Sequence, residues 1–309
     1  MPMTLIEASK IDDGNVVRGP VIEMFARGGD LLRVMPFMDV NGGSYSYTQE
    51  GSLPGVAFRA FNEAYAESTG VINPQVEVLR IVGGDIDVDK AMIKTRGPRV
   101  RSTQTEMKVK AMAGYLLKKM VKGDSITEPR EFDGIQNRLT GSQIVDAGAT
   151  NGGDALSLAK LDEAIDAVDN PTHILMSKAL RRRLTAAQRA TGVSGFITWD
   201  KDEFGQKIAY YNDLPIVIVD MDDDGARILD FNETGSGGST ATATSLYVVS
   251  LGESMLTGLQ NGIMEVDDLG EIDAKPVLRT RVEWLVGMAA LHGRCAARLR
   301  GISNAAVVA

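Results

Sequence analysis

The sequence predicts a mixed α+β protein, and three observations carry that prediction. Residues 103–122 form a long amphipathic helix pattern, residues 156–219 alternate between helical and strand-like segments, and residues 277–288 alternate apolar with polar as a strand does. The first forty residues mix short apolar pieces with glycines and charges, which reads as an arm that packs on something else. Residues 41–78 follow, with strand-like ends at YSYT (45–48) and VEVLRIV (76–82) around an unpatterned centre containing Gly51, Gly55, Gly70, Pro54 and Pro74. A two-stranded excursion of that length cannot bury an apolar face by itself and needs a partner surface.

In the long helix, Thr103 and Glu106 read as a capping box after Pro98, and Gly123 supplies the stop. Val109, Met112, Ala113, Leu116, Leu117 and Met120 make its apolar stripe, while Lys108, Lys110, Lys118 and Lys119 fall mostly off it. Residues 123–142 read as a loop with one short helical piece. The alternating region then predicts a helix at 156–168, a strand at HILM (173–176) and a helix capped by Ser177 to about Ala190. Strands are expected at LPIVIV (214–219), ARILDF (226–231), SLYVVS (245–250) and IMEV (263–266), and a long one around 277–288.

The chain has 309 residues, 44% hydrophobic and 24% charged, enough for one large domain or two linked ones. MPMTLIEASK carries charges where a secretory signal has an apolar region, and WLVGMAAL (284–291) is too short to span a bilayer. The single cysteine, Cys295, excludes an intramolecular disulfide and a cysteine zinc cluster, and fits synthesis in a reducing compartment. A net charge of -8 argues against a dedicated nucleic-acid binder. The charge is uneven, however. Nine bases against Glu106 alone fill 94–122, bases again prevail in 275–300, and acids dominate 202–233, which reads as separate solvated faces.

No catalytic constellation emerges. DMDDDG (220–225) matches the opening of an EF-hand loop through Asp220, Asp222, Asp224 and Gly225. The bidentate ligand position falls on Phe231, with Asp230 one place early, and the flanks read as strands. An acidic hairpin turn, binding cations at most incidentally, is the better reading. His173 sits at the entry of a buried strand. His292 lies in a basic stretch without a nearby carboxylate, and neither histidine has a metal-ligand partner. GVSG (192–195) misses the nucleophile elbow by one residue, GSGGST (235–240) reads as a flexible connection, and NET (232–234) means little as a glycosylation sequon without secretion. The expectation is no catalytic residue, no cofactor and no metal. A cation-dependent hydrolase on Asp220, Asp222 and Asp224 is the disfavoured alternative.

The order of parts resembles the major capsid proteins of tailed bacteriophages, with their Hong Kong 97-type capsid fold that encapsulins share. KGDSITEPREFDGIQNRL after the helix, PTHILMSKALRRRL, YYNDLPIVIVD and the closing VLRTRVEWLVGMAALHGRCAARLRGI are similar to strings of that family in the same order. The resemblance implies an N-terminal arm (1–40), an extended loop (41–78), a peripheral domain (79–140 and 265–309) with a spine helix at about 103–122, and an axial domain (141–264). It implies a shell of hexamers and pentamers around double-stranded DNA, found in the virion and assembled in the bacterial host cytoplasm. Its partners would be other copies of the chain, a separate scaffolding protein, a portal, a decoration protein in some cases and packaged DNA, with no membrane. On this reading the chain is the full mature form, the spine-helix lysines turn toward DNA, and DMDDDG is a hairpin tip near the capsomer axis. An encapsulin-type compartment shell is the alternative.

Overall fold

A computed structural model describes residues 4, 24–25, 28–97, 99–190, 196–201 and 207–308. In chain order the elements are α1 (Asp30–Val34), β1 (Phe37–Asp39), β2 (Ser44–Ser52), β3 (Val71–Val78), β4 (Arg80–Asp89), α2 (Lys90–Arg96), α3 (Arg99–Lys122), α4 (Ile135–Arg138) and β5 (Ile144–Asp146). Then come α5 (Leu158–Asp166), β6 (His173–Met176), α6 (Lys178–Ala190), β7 (Ile197–Lys201), β8 (Lys207–Tyr211), β9 (Leu214–Ile218) and β10 (Glu233–Thr234). The chain closes with β11 (Ala241–Val249), β12 (Leu256–Gln260), β13 (Glu265–Ile272), β14 (Lys275–Ala290) and β15 (Ala296–Ser303).

Two sheets organise the molecule. An eight-stranded sheet runs β5-β15-β11-β6-β9-β8-β7, with β10 on β11; a five-stranded sheet runs β1-β12-β14-β13, with β4 on β14. The strands β2 and β3 pair only with each other. The apolar runs in β6, β9 and β11 are buried on both faces, so their alternating side chains enter two different cores. Leu175, Val217, Tyr247 and Val249 turn toward α3, and Ile174, Met176, Ile216, Ile218, Leu246 and Val248 toward α5 and α6.

The six stripe residues of α3 are all buried, packed between the eight-stranded sheet and Ile86, Val88, Val282, Trp284 and Val286 of β4 and β14. Each such side chain contributes about 1.5–3 kcal/mol on leaving water. Phe25 and Phe37 meet the Trp284 ring at centroid distances of 5.8 and 5.0 Å, so both are anchored in this same core. At Gly123 the helix stops as expected, its N–H donating to Lys119 O at 2.8 Å. A Cβ there would stand 2.4 Å from Phe132 O, which leaves glycine as the residue that fits.

Other expectations are corrected. The helix begins at Arg99, so Thr103 is not its cap; the Thr103 hydroxyl donates to Arg99 O at 3.0 Å inside the helix. Pro98 lies outside the described residues, as do residues 192–195. The stretch 76–82 is not one strand: it breaks at Leu79, passing from the hairpin into the five-stranded sheet. ARILDF is not a strand either, because Ile228 and Leu229 anchor an irregular segment in the α3 core. The strand expected at 263–266 starts at Glu265 and continues to Ile272. The sheets also cross the expected boundaries. Residues 265–309 divide between the two sheets, β13 and β14 in the five-stranded one and β15 in the eight-stranded one, while β1 and β12 join the five-stranded sheet.

Candidate assembly interface

Among the described residues the β2–β3 hairpin forms a sheet of its own and carries an exposed tip. Its inward face carries Tyr45, Tyr47, Gln49 and Glu77, with the two tyrosine rings stacked at 5.9 Å. Its base is clamped. The Arg138 guanidinium, at the end of α4, grips both oxygens of Glu77 and donates to Met288 O at 2.9 Å, while the Tyr47 hydroxyl donates to Glu77 at 3.3 Å. Burial and the neighbouring Glu77 carboxylate push the Tyr47 phenol up to about 12.

The tip of the hairpin is open to solvent. Val56, Phe58 and Phe61 are 97%, 107% and 101% exposed, and Leu53 and Tyr65 are exposed beside them. The tip is nevertheless shaped, because Ser68 Oγ donates to Gly55 O at 2.9 Å and the Arg59 guanidinium lies 5.2 Å from the Tyr65 ring centroid. A cluster of apolar side chains held out this way marks a contact surface.

The basic and acidic stretches are not separate solvated faces, because α3 meets the acidic segment 220–233. Lys118 Nζ lies 2.8 Å from Asp222, Lys122 Nζ 2.6 Å from Glu233, and Arg298 reaches the second Glu233 oxygen at 2.9 Å with Ser245 alongside. Burial opposes ionisation of Glu233, but the two bases and the serine hydroxyl hold its carboxyl below the ordinary value. The basic run in β14 is matched in the same way: Arg281 and Arg279 each take a carboxylate of β4, Asp85 and Asp87, at 2.7 Å.

DMDDDG is a turn folded on itself. Asp222 accepts from the N–H groups of Asp224 and Ala226 at 3.1 and 2.8 Å, and Gly225 takes φ +78°. A Cβ on Gly114 of α3 would stand 2.9 Å from the Asp222 carbonyl carbon, so the turn seats on the helix and is not a free hairpin tip. The carboxylates of Asp222, Asp223 and Asp224 lie within 4.8 Å of one another, but Asp222 is committed to Lys118 and Asp220 to Lys178. Phe231, at the position an EF-hand needs for its last ligand, packs on the core under α5 and α6. The GSGGST segment is not a loose connection, since a Cβ at Gly237 would stand 1.7 Å from Ala149 O. His292 does have a carboxylate neighbour, Asp169, at 3.7 Å. Cys295 is buried, and burial raises its thiol to about 11, an unreactive state.

Burial also lowers His173 from 6.5 to about 4. Between these values the unfolded chain binds a proton that the folded chain refuses, so stability is lost as pH falls through that window. The expected loss is about 2–3 kcal/mol by pH 4. Urea unfolding of the wild type and His173→Gln across pH 4–7 checks it, with a flatter dependence in the variant.

Two sheets wrapped on one long helix, with a clamped projecting hairpin, make the Hong Kong 97-type capsid fold. The chain resembles the SrpI encapsulin of Synechococcus elongatus PCC 7942 with a TM-score of 0.64 and 17% identity, over 90% of this chain and 89% of that one. For the cyanophage A-1(L) capsid the values are 0.59 and 16%, over 95% of each chain. For the Mycobacterium phage Adephagia structure they are 0.59 and 13%, over 89% and 90%. No curated protein matches. Residues 12–159, just under half of the chain, match the family model of major capsid protein GP7.

Proposed function

We propose that the chain assembles into hexamers and pentamers that close an icosahedral shell around a phage double-stranded DNA genome. The observation that carries this reading is the hairpin tip, whose aromatic side chains have no cover in their own chain and would find it on a neighbour. The eight-stranded sheet with α5 and α6 would form the axial domain, and the five-stranded sheet with α3 the peripheral one. The shell needs no catalysis, because many modest interfaces closed by symmetry supply its strength. A scaffolding protein, a portal and in some cases a decoration protein would assist in the host cytoplasm before the capsid becomes the virion shell. Lys118 and Lys119 are already neutralised by Asp222 and Glu131, so α3 offers DNA less charge than its sequence suggests.

Negative-stain microscopy of the purified protein tests the proposal: shells or capsomers are expected, and a persistent monomer would refute it. The SrpI likeness supports a second reading, an encapsulin-type compartment. Shells from infected cells distinguish the two, since nuclease-protected genomic DNA is expected inside a capsid and protein cargo inside a compartment. Residues 41–78 contain no lysine, so the loop cannot supply the amine of a lysine–asparagine weld to a neighbouring subunit. Mature shells are expected to run as single chains on a denaturing gel.

A further inference from the structure

We propose that Asn41, at the foot of the hairpin, is a site of spontaneous chemical modification, where the chain converts to isoaspartate and loosens the hairpin from the body. The sequence holds three Asn-Gly pairs, at 41–42, 151–152 and 261–262. Glycine after asparagine leaves the next backbone nitrogen uncrowded and its dihedrals permissive, so that it can close on the side-chain amide. The Gly42 nitrogen attacks Asn41 Cγ, a C–N bond forms, and the side-chain nitrogen departs as ammonia. Water then opens the resulting five-membered imide at one of its two carbonyls, giving aspartate or isoaspartate, and nothing is oxidised or reduced.

The surroundings separate the three pairs. Asn261 Nδ2 donates to Gly42 O at 3.0 Å, and this is the nitrogen that the reaction has to expel. Asn151 Oδ1 accepts from the Thr240 N–H at 3.1 Å, and Gly152 is buried against Thr242. Asn41 and Gly42 are both exposed, and neither the Asn41 side chain nor the Gly42 N–H has a hydrogen-bond partner among the described residues. Apart from its chain neighbours, nothing lies within 4 Å of a Cβ built at Gly42, so the imide ring has room, and φ +112° keeps glycine at that position. The product matters because of what flanks it. The Val40 N–H donates to Gln260 O at 2.8 Å on one side, and the Gly42 and Gly43 carbonyls accept from Asn261 and Leu79 on the other. Isoaspartate routes the main chain through the former side chain and lengthens it by one carbon between those fixed points. Both sides cannot then keep their geometry, and the two single bonds yield before the pairing of β1 with β12.

The test is peptide mapping of the folded full chain aged at mildly alkaline pH, with isoaspartate reported by a protein isoaspartate methyltransferase. Conversion at Asn41 is expected to be about tenfold faster than at Asn151 or Asn261, the factor that one intact hydrogen bond supplies. In urea the three rates are expected to converge, because the protection of the other two is structural. Equal rates in the folded protein, or a difference that persists in urea, overturn the assignment. The loosening is read by hydrogen exchange at the Leu79 amide. Exchange is expected to quicken as isoaspartate accumulates in the wild type and to stay slow in Asn41→Ser aged alongside it. Freshly prepared Asn41→Asp supplies the carboxylate without lengthening the main chain, and is expected to stay slow as well. An aged wild type that exchanges no faster than Asn41→Ser, or an Asn41→Asp variant that exchanges as fast as the aged wild type, overturns the loosening.

Discussion

Glu233→Ala is expected to lower the unfolding free energy by about 3–5 kcal/mol, because it leaves two bases half-buried without their shared carboxylate. Glu233 sits where three parts of the chain converge: Lys122 from the last turn of α3, Arg298 from β15, and Ser245 from β11. Its side chain is 12% exposed and that of Arg298 13%, so solvent replaces little of what is lost. Urea unfolding at pH 7 measures the effect. Glu233→Gln keeps the shape and removes the charge, and is expected to recover only a minor part. The wild-type contribution has a definite sign with pH. The folded carboxyl is held below its ordinary value, so the stabilisation is complete above the unfolded value of about 4.3 and fades as pH falls through the folded one. A variant as stable as wild type would mean that α3 and the eight-stranded sheet are held by their apolar core alone.

The second large effect falls on assembly and spares folding. Replacing residues 53–70 with Asn-Gly joins Ser52 to Val71, already paired neighbours, through a two-residue turn of the type hairpins favour. The removed residues include no buried side chain, so thermal stability is expected to stay within about 0.5 kcal/mol of wild type. Shell formation, followed by light scattering and microscopy, is expected to be lost. Shells at wild-type yield would show that the tip is dispensable and would remove the observation on which the proposed function rests.

Legibility in the sequence followed how locally each element is determined. The stripe from Val109 to Met120 and the HILM strand with its Ser177-capped helix needed only periodicity and a stop signal, and the structure has them. Strand β4 was largely hidden. IVGGDIDVD offers two glycines and three acids, and its outward aspartates make sense only opposite Arg279 and Arg281, nearly two hundred residues later. Gly83 carries the same lesson, since a Cβ there would stand 2.4 Å from Val282 O on the neighbouring strand. The charge runs were visible as composition, but their meeting depends on the topology that brings 220–233 onto α3. ARILDF misled because a short apolar run looks alike whether it pairs in a sheet or only pins a loop to a core. The hairpin's strand-like ends could be read from residues 41–78, whereas the clamp of Arg138 on Glu77 joins residues 61 apart and leaves no contiguous trace.

The break at Leu79 gives the hairpin a mechanical character. Strand β3 passes into β4 with a single intervening residue, and β4 is bonded to β14 through ten consecutive pairs from Arg80 to Asp89. A tug on the tip therefore arrives along the axis of that ladder, where the cross-strand hydrogen bonds resist together and cannot be peeled apart one by one. The other leg of the hairpin ends at Gly42 and Gly43, whose carbonyls accept from Asn261 Nδ2 at 3.0 Å and from the Leu79 N–H at 2.9 Å. Both legs are thus tied to the body, one through a strand ladder and the other through two single hydrogen bonds. Tension applied to the tip would run lengthwise through β4 and into the five-stranded sheet, with the two single bonds at Gly42 and Gly43 the first to yield.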